Sequence, residues 1–266
     1  AENTYEVTSI VPTAKEDPVL FERAMQLLRE QRGLSKHIII TVMDGIDDPD
    51  QLGALDIANL ATARKYSDAV LITNARDKRD NLANGLRYAQ AQGMLCDNMA
   101  VLDSDTICDH QWVMAFMVHD LSLDQVGGVS SAQRALREVT TVERVNGWLE
   151  NARLKLTMAA GTYYGQVGCI PGRLGMYRTA IIMPRLSELE HEYWSGWTVS
   201  TRWPFVIRWK TKCKAGDDRQ LTNFVLEDGF QTRVVLPAGV KTTVSREYGE
   251  MWKRWRRWGT SSQGYV

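Results

Sequence analysis

Two pairs of carboxylates in this chain have the type and spacing to do chemistry. Asp103-Ser104-Asp105 sets two acids one residue apart, directly after the apolar run 99–102. Hard oxygen donors of this kind suit Mg²⁺ or Mn²⁺, which bind through one or two carboxylates and complete their shell with substrate phosphates. An ion held there would neutralise charge developing on a departing diphosphate. On its own, an Asp-x-Asp triplet is equally a solvated loop or a helix cap. The second pair lies in Gly216-Asp217-Asp218-Arg219, at the start of a helical run. Acids there are stabilised by the helix dipole and serve as caps. A carboxylate facing a metal-bound reactant also has the chemistry of a general base toward a hydroxyl.

A third group closes the chain, Arg254-Trp255-Arg256-Arg257-Trp258. Trp252, Trp255 and Trp258 recur at a spacing of three, so a helix would gather them on one broad face. That face suits stacking on sugar rings while arginine pairs with diphosphate. It also suits a membrane surface, with aromatics toward lipid and arginines toward head groups. A packed C-terminal helix is the plain structural alternative.

The elements that must carry these residues alternate. Residues 7–11, 37–43, 69–73, 99–102 and 126–130 read as strands, and helical patterns over 18–32, 50–66, 81–92 and 111–121 separate them. Asp17 followed by Pro18 is a helix start, and Gly33 closes that segment. Such alternation predicts a mostly parallel mixed sheet with helices on both faces. In such sheets ligands bind beyond the C-terminal strand ends, where both Asp44 and Asp103 fall. The second half is less regular. Residues 142–158, 217–226 and 248–258 read as helices, and 174–177, 232–236 and 240–244 as strands. A glycine-rich loop spans 161–175. No linker or repeat divides residues 1–266, so a single domain is expected.

Taken together, the order and spacing of these segments resemble the processive family 2 glycosyltransferases, the group of hyaluronan, chitin and cellulose synthases. Val7-Thr8-Ser9-Ile10-Val11-Pro12 resembles the opening strand, Lys78-Arg79 the Gly-Lys-Arg donor segment, and Asp103-Ser104-Asp105 the Asp-x-Asp motif. Gly216-Asp217-Asp218-Arg219-Gln220-Leu221-Thr222-Asn223 is similar to the signature of the hyaluronan and chitin branch. Arg254-x-x-Arg257-Trp258 fits the (Gln/Arg)-x-x-Arg-Trp motif. The resemblance runs from about Thr8 to Trp258 and implies a Rossmann-like glycosyltransferase A fold. Its donor nucleotide-binding half would be residues 1–130 and its acceptor-binding half residues 131–266.

The resemblance further implies inverting transfer from a UDP-sugar to a growing polysaccharide or glycan, with Asp218 as base and Asp217 supporting it. Asp44, Lys78, Arg79, Asp103, Arg254 and Arg257 would contact the donor. Asp105, with Asp103, would hold Mg²⁺ or Mn²⁺. Gly172, Arg173 and Trp258 would border the acceptor. The expected setting is the cytoplasmic inner face of the plasma membrane, through a segment missing here or through the Trp/Arg-rich C-terminus. A non-processive enzyme of the same family acting on a lipid or small glycan is the alternative, as is a donor-binding domain inactive without its membrane part. The pattern departs from the family at Cys169-Ile170-Pro171-Gly172, where the usual segment is close to Ser-Gly-Pro-Leu, and in the tryptophan-rich stretch 188–214, expected to be core or interface.

Composition excludes other classes. Thirty-two basic and thirty-two acidic residues cancel, which argues against nucleic-acid binding by bulk charge. Residues 10–16 hold no glycine, unlike the phosphate loop of nucleotidyltransferases. No Gly-x-Gly-x-x-Gly follows a strand, so a dehydrogenase is not expected. Cys96, Cys108, Cys169 and Cys213 lack zinc spacing and read as free thiols. His37, His110, His119 and His191 are scattered, and none is given a role. No run of about 18 apolar residues is present.

Overall fold

The computed structural model describes residues 5–44, 52–75, 77–190, 194–198, 208–212 and 216–262, with 190, 194–198, 208–212 and 257–262 described by backbone alone. The first half runs β1 (Glu6–Thr13), α1 (Pro18–Arg29), β2 (Lys36–Met43), α2 (Ala54–Tyr66), β3 (Ala69–Ile72), α3 (Lys78–Ala91), β4 (Asn98–Leu102), β5 (Ile107–Cys108), α4 (Val113–Leu121) and β6 (Val126–Ala135). Next comes α5 (Thr141–Ala152), continued by a π-helical segment (Arg153–Met158) and α6 (Ala159–Tyr163). β7 (Leu174–Arg178), α7 (Thr179–Ile182) and α8 (Leu186–Glu190) follow, then the strand pair β8 (Trp194–Thr198) and β9 (Arg208–Lys212). α9 (Asp217–Glu227), β10 (Gln231–Thr242) and α10 (Tyr248–Ser262) close the described chain.

Eight strands form one sheet in the order β3-β2-β1-β4-β7-β6-β10-β5. β1 pairs in parallel with β2 and β4, β2 with β3, and β6 with β10. β7 runs antiparallel to both β4 and β6, and β5 is antiparallel to β10. The expected mixed, mostly parallel sheet is therefore present. Its C-terminal edge gathers the ends of β1, β2, β4, β6 and β10. Because β7 is reversed, that edge also receives the loop entering β7.

Helices cover both faces because the strands are apolar on both sides. On one face, Phe21, Met25 and Leu28 of α1 and Met114 and Met117 of α4 pack against Val7, Val11 and Ile39. On the other, Leu82 and Leu86 of α3 and Leu221, Phe224 and Val225 of α9 pack against Ile10, Ile40 and Val101. Each such side chain contributes about 1.5–3 kcal/mol through burial. Gly85 lets α3 approach closely, since a β-carbon there would lie 2.8 Å from Ile10 Cγ2. Asp17 caps α1 through the amides of Val19 and Leu20, as the sequence predicts.

Several elements differ from expectation, among them α3, β10 and the helix from Thr141. α3 begins at Lys78, capped by Asp77, not at Asn81. Residues 232–236 and 240–244 were expected as separate strands. They form one strand, β10, whose register against β6 shifts between Val235 and Gly239, around Pro237. A proline has no amide to give the ladder, and the irregularity accommodates it. The helix expected over 142–158 extends to Tyr163, with its π-helical turn from Arg153. Residues 45–51, 191–193 and 199–207 lie outside the description, as do the side chains of Trp194, Trp197 and Trp209 in the tryptophan-rich stretch. Cys96, Cys108 and Cys169 are free thiols, and Cys213 lies outside the described residues. Among the described residues no helix is long and apolar enough to cross a membrane.

Candidate active site

β4 delivers Asp103 at its C-terminal end, and a turn closed by Thr106 N–H to the Asp103 carbonyl (3.0 Å) presents Ser104 and Asp105. α3 and α9 both aim their N-termini at this edge. Lys78, in the first turn of α3, donates to Asp103 Oδ1 at 2.6 Å and lies 3.1 Å from Asp217 Oδ2 in the first turn of α9. The Asp-x-Asp motif and the Asp-Asp pair, far apart in sequence, are thus bridged by one ammonium group. Burial alone would lower the lysine pKa, but the carboxylates of Asp217, Asp103 and Asp218 hold it well above the ordinary value.

Asp217 and Asp218 behave oppositely. Burial works against both charges. Asp217 faces Lys78 directly, and that ammonium keeps its pKa below the usual carboxylate value. Asp218 is pushed up to about 8 by burial and by the charge of Asp217, against the smaller pull of Lys78. Its backbone carbonyl accepts from Thr222 Oγ1 (2.7 Å), and that same hydroxyl accepts the Ile170 amide (2.8 Å). The loop leading into β7 is thereby tied to the first turn of α9. Gly172 in that loop touches Asp218 and Lys78 so closely that a β-carbon would meet Asp218 Oδ1 at 2.4 Å and Lys78 Nζ at 2.7 Å.

Asp105 points to the end of β10. Thr242 Oγ1 donates to its Oδ2 at 3.2 Å, and Thr243 Oγ1 donates to the same oxygen. The carbonyl of Thr243 accepts from Arg254 Nη1 of α10 at 3.4 Å. Arg254 therefore lies beside the acidic edge. Asp44, at the end of β2, accepts from Asn81 Nδ2 at 3.1 Å, and burial raises its pKa.

Two expected contacts are directed elsewhere. Arg79 folds back on Asp77, with Nε at 3.3 Å and Nη2 at 2.9 Å, while its Nη1 is buried with no hydrogen-bond partner among the described residues. Arg173 was expected at the acceptor. Its guanidinium is buried and donates to Glu150 Oε1 of α5 at 2.7 Å. The side chains of Arg257 and Trp258 lie outside the described residues, although α10 carries their backbone.

Glu16, just past β1, was not singled out in the sequence. It accepts from Ser104 Oγ at 2.8 Å. Burial raises its pKa, Ser104 opposes this, and Asp105, Asp103 and Asp44 add to the rise. A lone acid beside the capping Asp17 carries no motif. Its only signal was its place at a strand's C-terminal end, the rule that found Asp44.

The donor chemistry fits a hard cation. Asp105 and Asp103 supply carboxylate oxygens, with the hydroxyls of Thr242 and Thr243 beside Asp105. Among the described residues no three His, Cys, Asp or Glu side chains are grouped to hold a metal by themselves. An ion here would take its remaining ligands from phosphate, as Mg²⁺ commonly does.

The profile of the family described as Glycosyltransferase like family 2 matches residues 5–261. The chain belongs to the family 2 glycosyltransferases. Homo sapiens hyaluronan synthase 3 is 30% identical over 177 residues, 65% of this chain and 29% of that protein. Gallus gallus hyaluronan synthase 3 is 26% identical over 242 residues, 79% of this chain and 38% of that protein. The family 2 domain thus spans only 29% to 38% of those relatives' length. The mannosyltransferase PcManGT from Pyrobaculum calidifontis, solved with GDP-Man and Mn²⁺, superposes with a TM-score of 0.64 at 16% identity, covering 94% of this chain and 60% of that one. S. aureus TarS 1–349 gives 0.53 at 14%, covering 90% and 60%. These structures share the fold, and with it the glycosyltransferase A architecture of this family 2 domain.

Proposed function

We propose that this domain transfers a sugar from a UDP-sugar to a growing polysaccharide or glycan acceptor, with inversion at the anomeric carbon. The observation that carries the reading is Asp218. It is half-buried at a helix N-terminus beside Gly172, with its pKa pushed up to about 8. A general base works best when its pKa lies near the operating pH.

In this reading an acceptor hydroxyl approaches past Gly172 and gives its proton to Asp218. Its oxygen forms the new bond to the anomeric carbon as the bond from that carbon to the diphosphate oxygen breaks, and UDP leaves. Asp217 and Lys78 fix the base by charge. Asp44 and Lys78 contact the uridine, and Arg254 and Arg257 approach the diphosphate. Asp105, with Asp103, would hold Mg²⁺ or Mn²⁺, which would neutralise the charge on the leaving diphosphate. Asp103 also accepts from Lys78 Nζ at 2.6 Å. Docking of α10 at the inner face of the plasma membrane belongs to the same proposal.

The test is UDP release across UDP-N-acetylglucosamine, UDP-glucuronate and UDP-glucose, with Asp218→Asn beside the wild type. The variant is expected to bind UDP normally and to lose about 10²–10⁴-fold in transfer. Unchanged turnover would remove Asp218 as the base.

A further inference from the structure

The loop that presents Gly172 to Asp218 is held at its other end by a buried ionic network. Arg173, the next residue, reaches back into the protein. Its Nη2 donates to Glu150 Oε1 at 2.7 Å, and its Nη1 lies 3.4 Å from Gln133 Oε1. Both charged side chains are almost wholly enclosed, with 8% and 7% of their surfaces exposed. Arg153 shares the network. Its Nη2 donates to Gln133 Oε1 at 2.8 Å and stands 3.3 Å from Glu150 Oε2. At Arg153 the helix also changes from α to π. π-turns inside α-helices recur at functional sites.

α5 is tied to the other half of the site as well. Asn146 Nδ2 donates to the carbonyl of Ser245 at 3.3 Å, two residues beyond the Thr243 that touches Asp105. One helix thus grips the segment beside the base and the segment beside the donor acids.

We propose that Glu150 is a positioning residue. Through Arg173 it fixes where Gly172 meets Asp218, and so sets the space in which the acceptor hydroxyl is deprotonated. The inference rests on the glycosyl-transfer reading above but adds a residue that touches no reactant. A buried ion pair is a poor source of net stability, because desolvation offsets most of the attraction. What such a pair supplies is direction, since the planar guanidinium fork accepts a carboxylate in few orientations. Gly172 leaves no slack beside Asp218, so a small shift at Arg173 is transmitted directly to the base.

The experiment separates positioning from stability. Glu150→Gln alone leaves the buried Arg173 guanidinium without its carboxylate and risks unfolding. The double variant Glu150→Met/Arg173→Leu replaces the pair with apolar groups of similar size, a change that folded proteins commonly tolerate. It is expected to fold with a Tm close to that of the wild type and to bind UDP with unchanged Kd. Its kcat is expected to fall by at least about tenfold, because displacements near 1 Å from a reactive geometry cost up to ~10² in rate. A second readout needs no turnover. Cys169, half-buried in the same loop, is expected to be alkylated by iodoacetamide several-fold faster, followed peptide by peptide by mass spectrometry. A folded double variant with wild-type kcat overturns the proposal, whatever its alkylation rate. If the wild type transfers no sugar from any donor, the glycosyl-transfer reading fails by itself. The alkylation rate then decides whether the anchor exists, and an unchanged rate overturns it.

Discussion

Gly172 lies against Asp218 with no room for a side chain: a β-carbon would stand 2.4 Å from the carboxylate oxygen. Its backbone conformation is ordinary, so the glycine is required by the close approach and not by its torsion angles. Gly172→Ala is therefore expected to fold and to push Asp218 and Lys78 aside. The expected loss in kcat is about 10²-fold, with UDP affinity little changed. Steady-state kinetics with calorimetry for UDP checks it, and wild-type kcat in the alanine variant would disprove the tight fit.

The raised basicity of Asp218 gives a direction in pH. The base acts when ionised, and its pKa is held up to about 8. Hence kcat/KM should climb as pH rises through that value. An ordinary aspartate, ionised well below neutrality, would give a flat profile over the same range. Rates of UDP release from roughly pH 6 to pH 9 distinguish the two.

Asp105 governs the proposed metal. UDP is expected to bind weakly in a chelator and more tightly with Mg²⁺ or Mn²⁺, by about 1–3 kcal/mol, the scale of charge-assisted contacts. Asp105→Ala should remove most of that difference. Calorimetry showing equally tight binding in chelator would leave Asp105 without a metal role.

α10 presents Tyr248 and Trp252 to solvent, with Trp252 58% exposed. Exposed aromatics beside Lys253, Arg254 and Arg256 match a helix lying at a lipid surface. Wild-type protein is expected to float with anionic liposomes, and Trp252→Ser to float less at equal UDP affinity. Equal flotation would assign that tryptophan to another contact.

Much of the fold was legible because its signals are local. Apolar runs at 37–43 and 99–102 mark strands buried on both faces, and Asp17-Pro18 marks a helix start. The candidate site was legible where it falls at strand ends and helix starts, as with Asp44, Asp103 and Asp217. What escaped the sequence depends on distant partners. Glu150 sits in an amphipathic helix where a solvated acid is the ordinary expectation, and its burial is explained by Arg173, from the loop entering β7, together with Arg153. Glu16 gains its meaning from Ser104. Arg79 adjoins Lys78 in sequence, but its pairing with the cap residue Asp77 through Nε and Nη2 could not be read there. The continuity of β10 through Pro237 was hidden because a proline in a strand ordinarily signals its end.

The reversed strand β7 has a consequence for how the molecule comes into being. β4 ends at Leu102, but its neighbour on one side is Leu174–Arg178, made much later by the ribosome. Until those residues arrive, β4 offers a bare row of amides and carbonyls, a template for pairing with another chain. The strand that heals this edge also carries the Gly172 loop to Asp218. Closing this edge of β4 and bringing Gly172 to Asp218 therefore depend on the same strand.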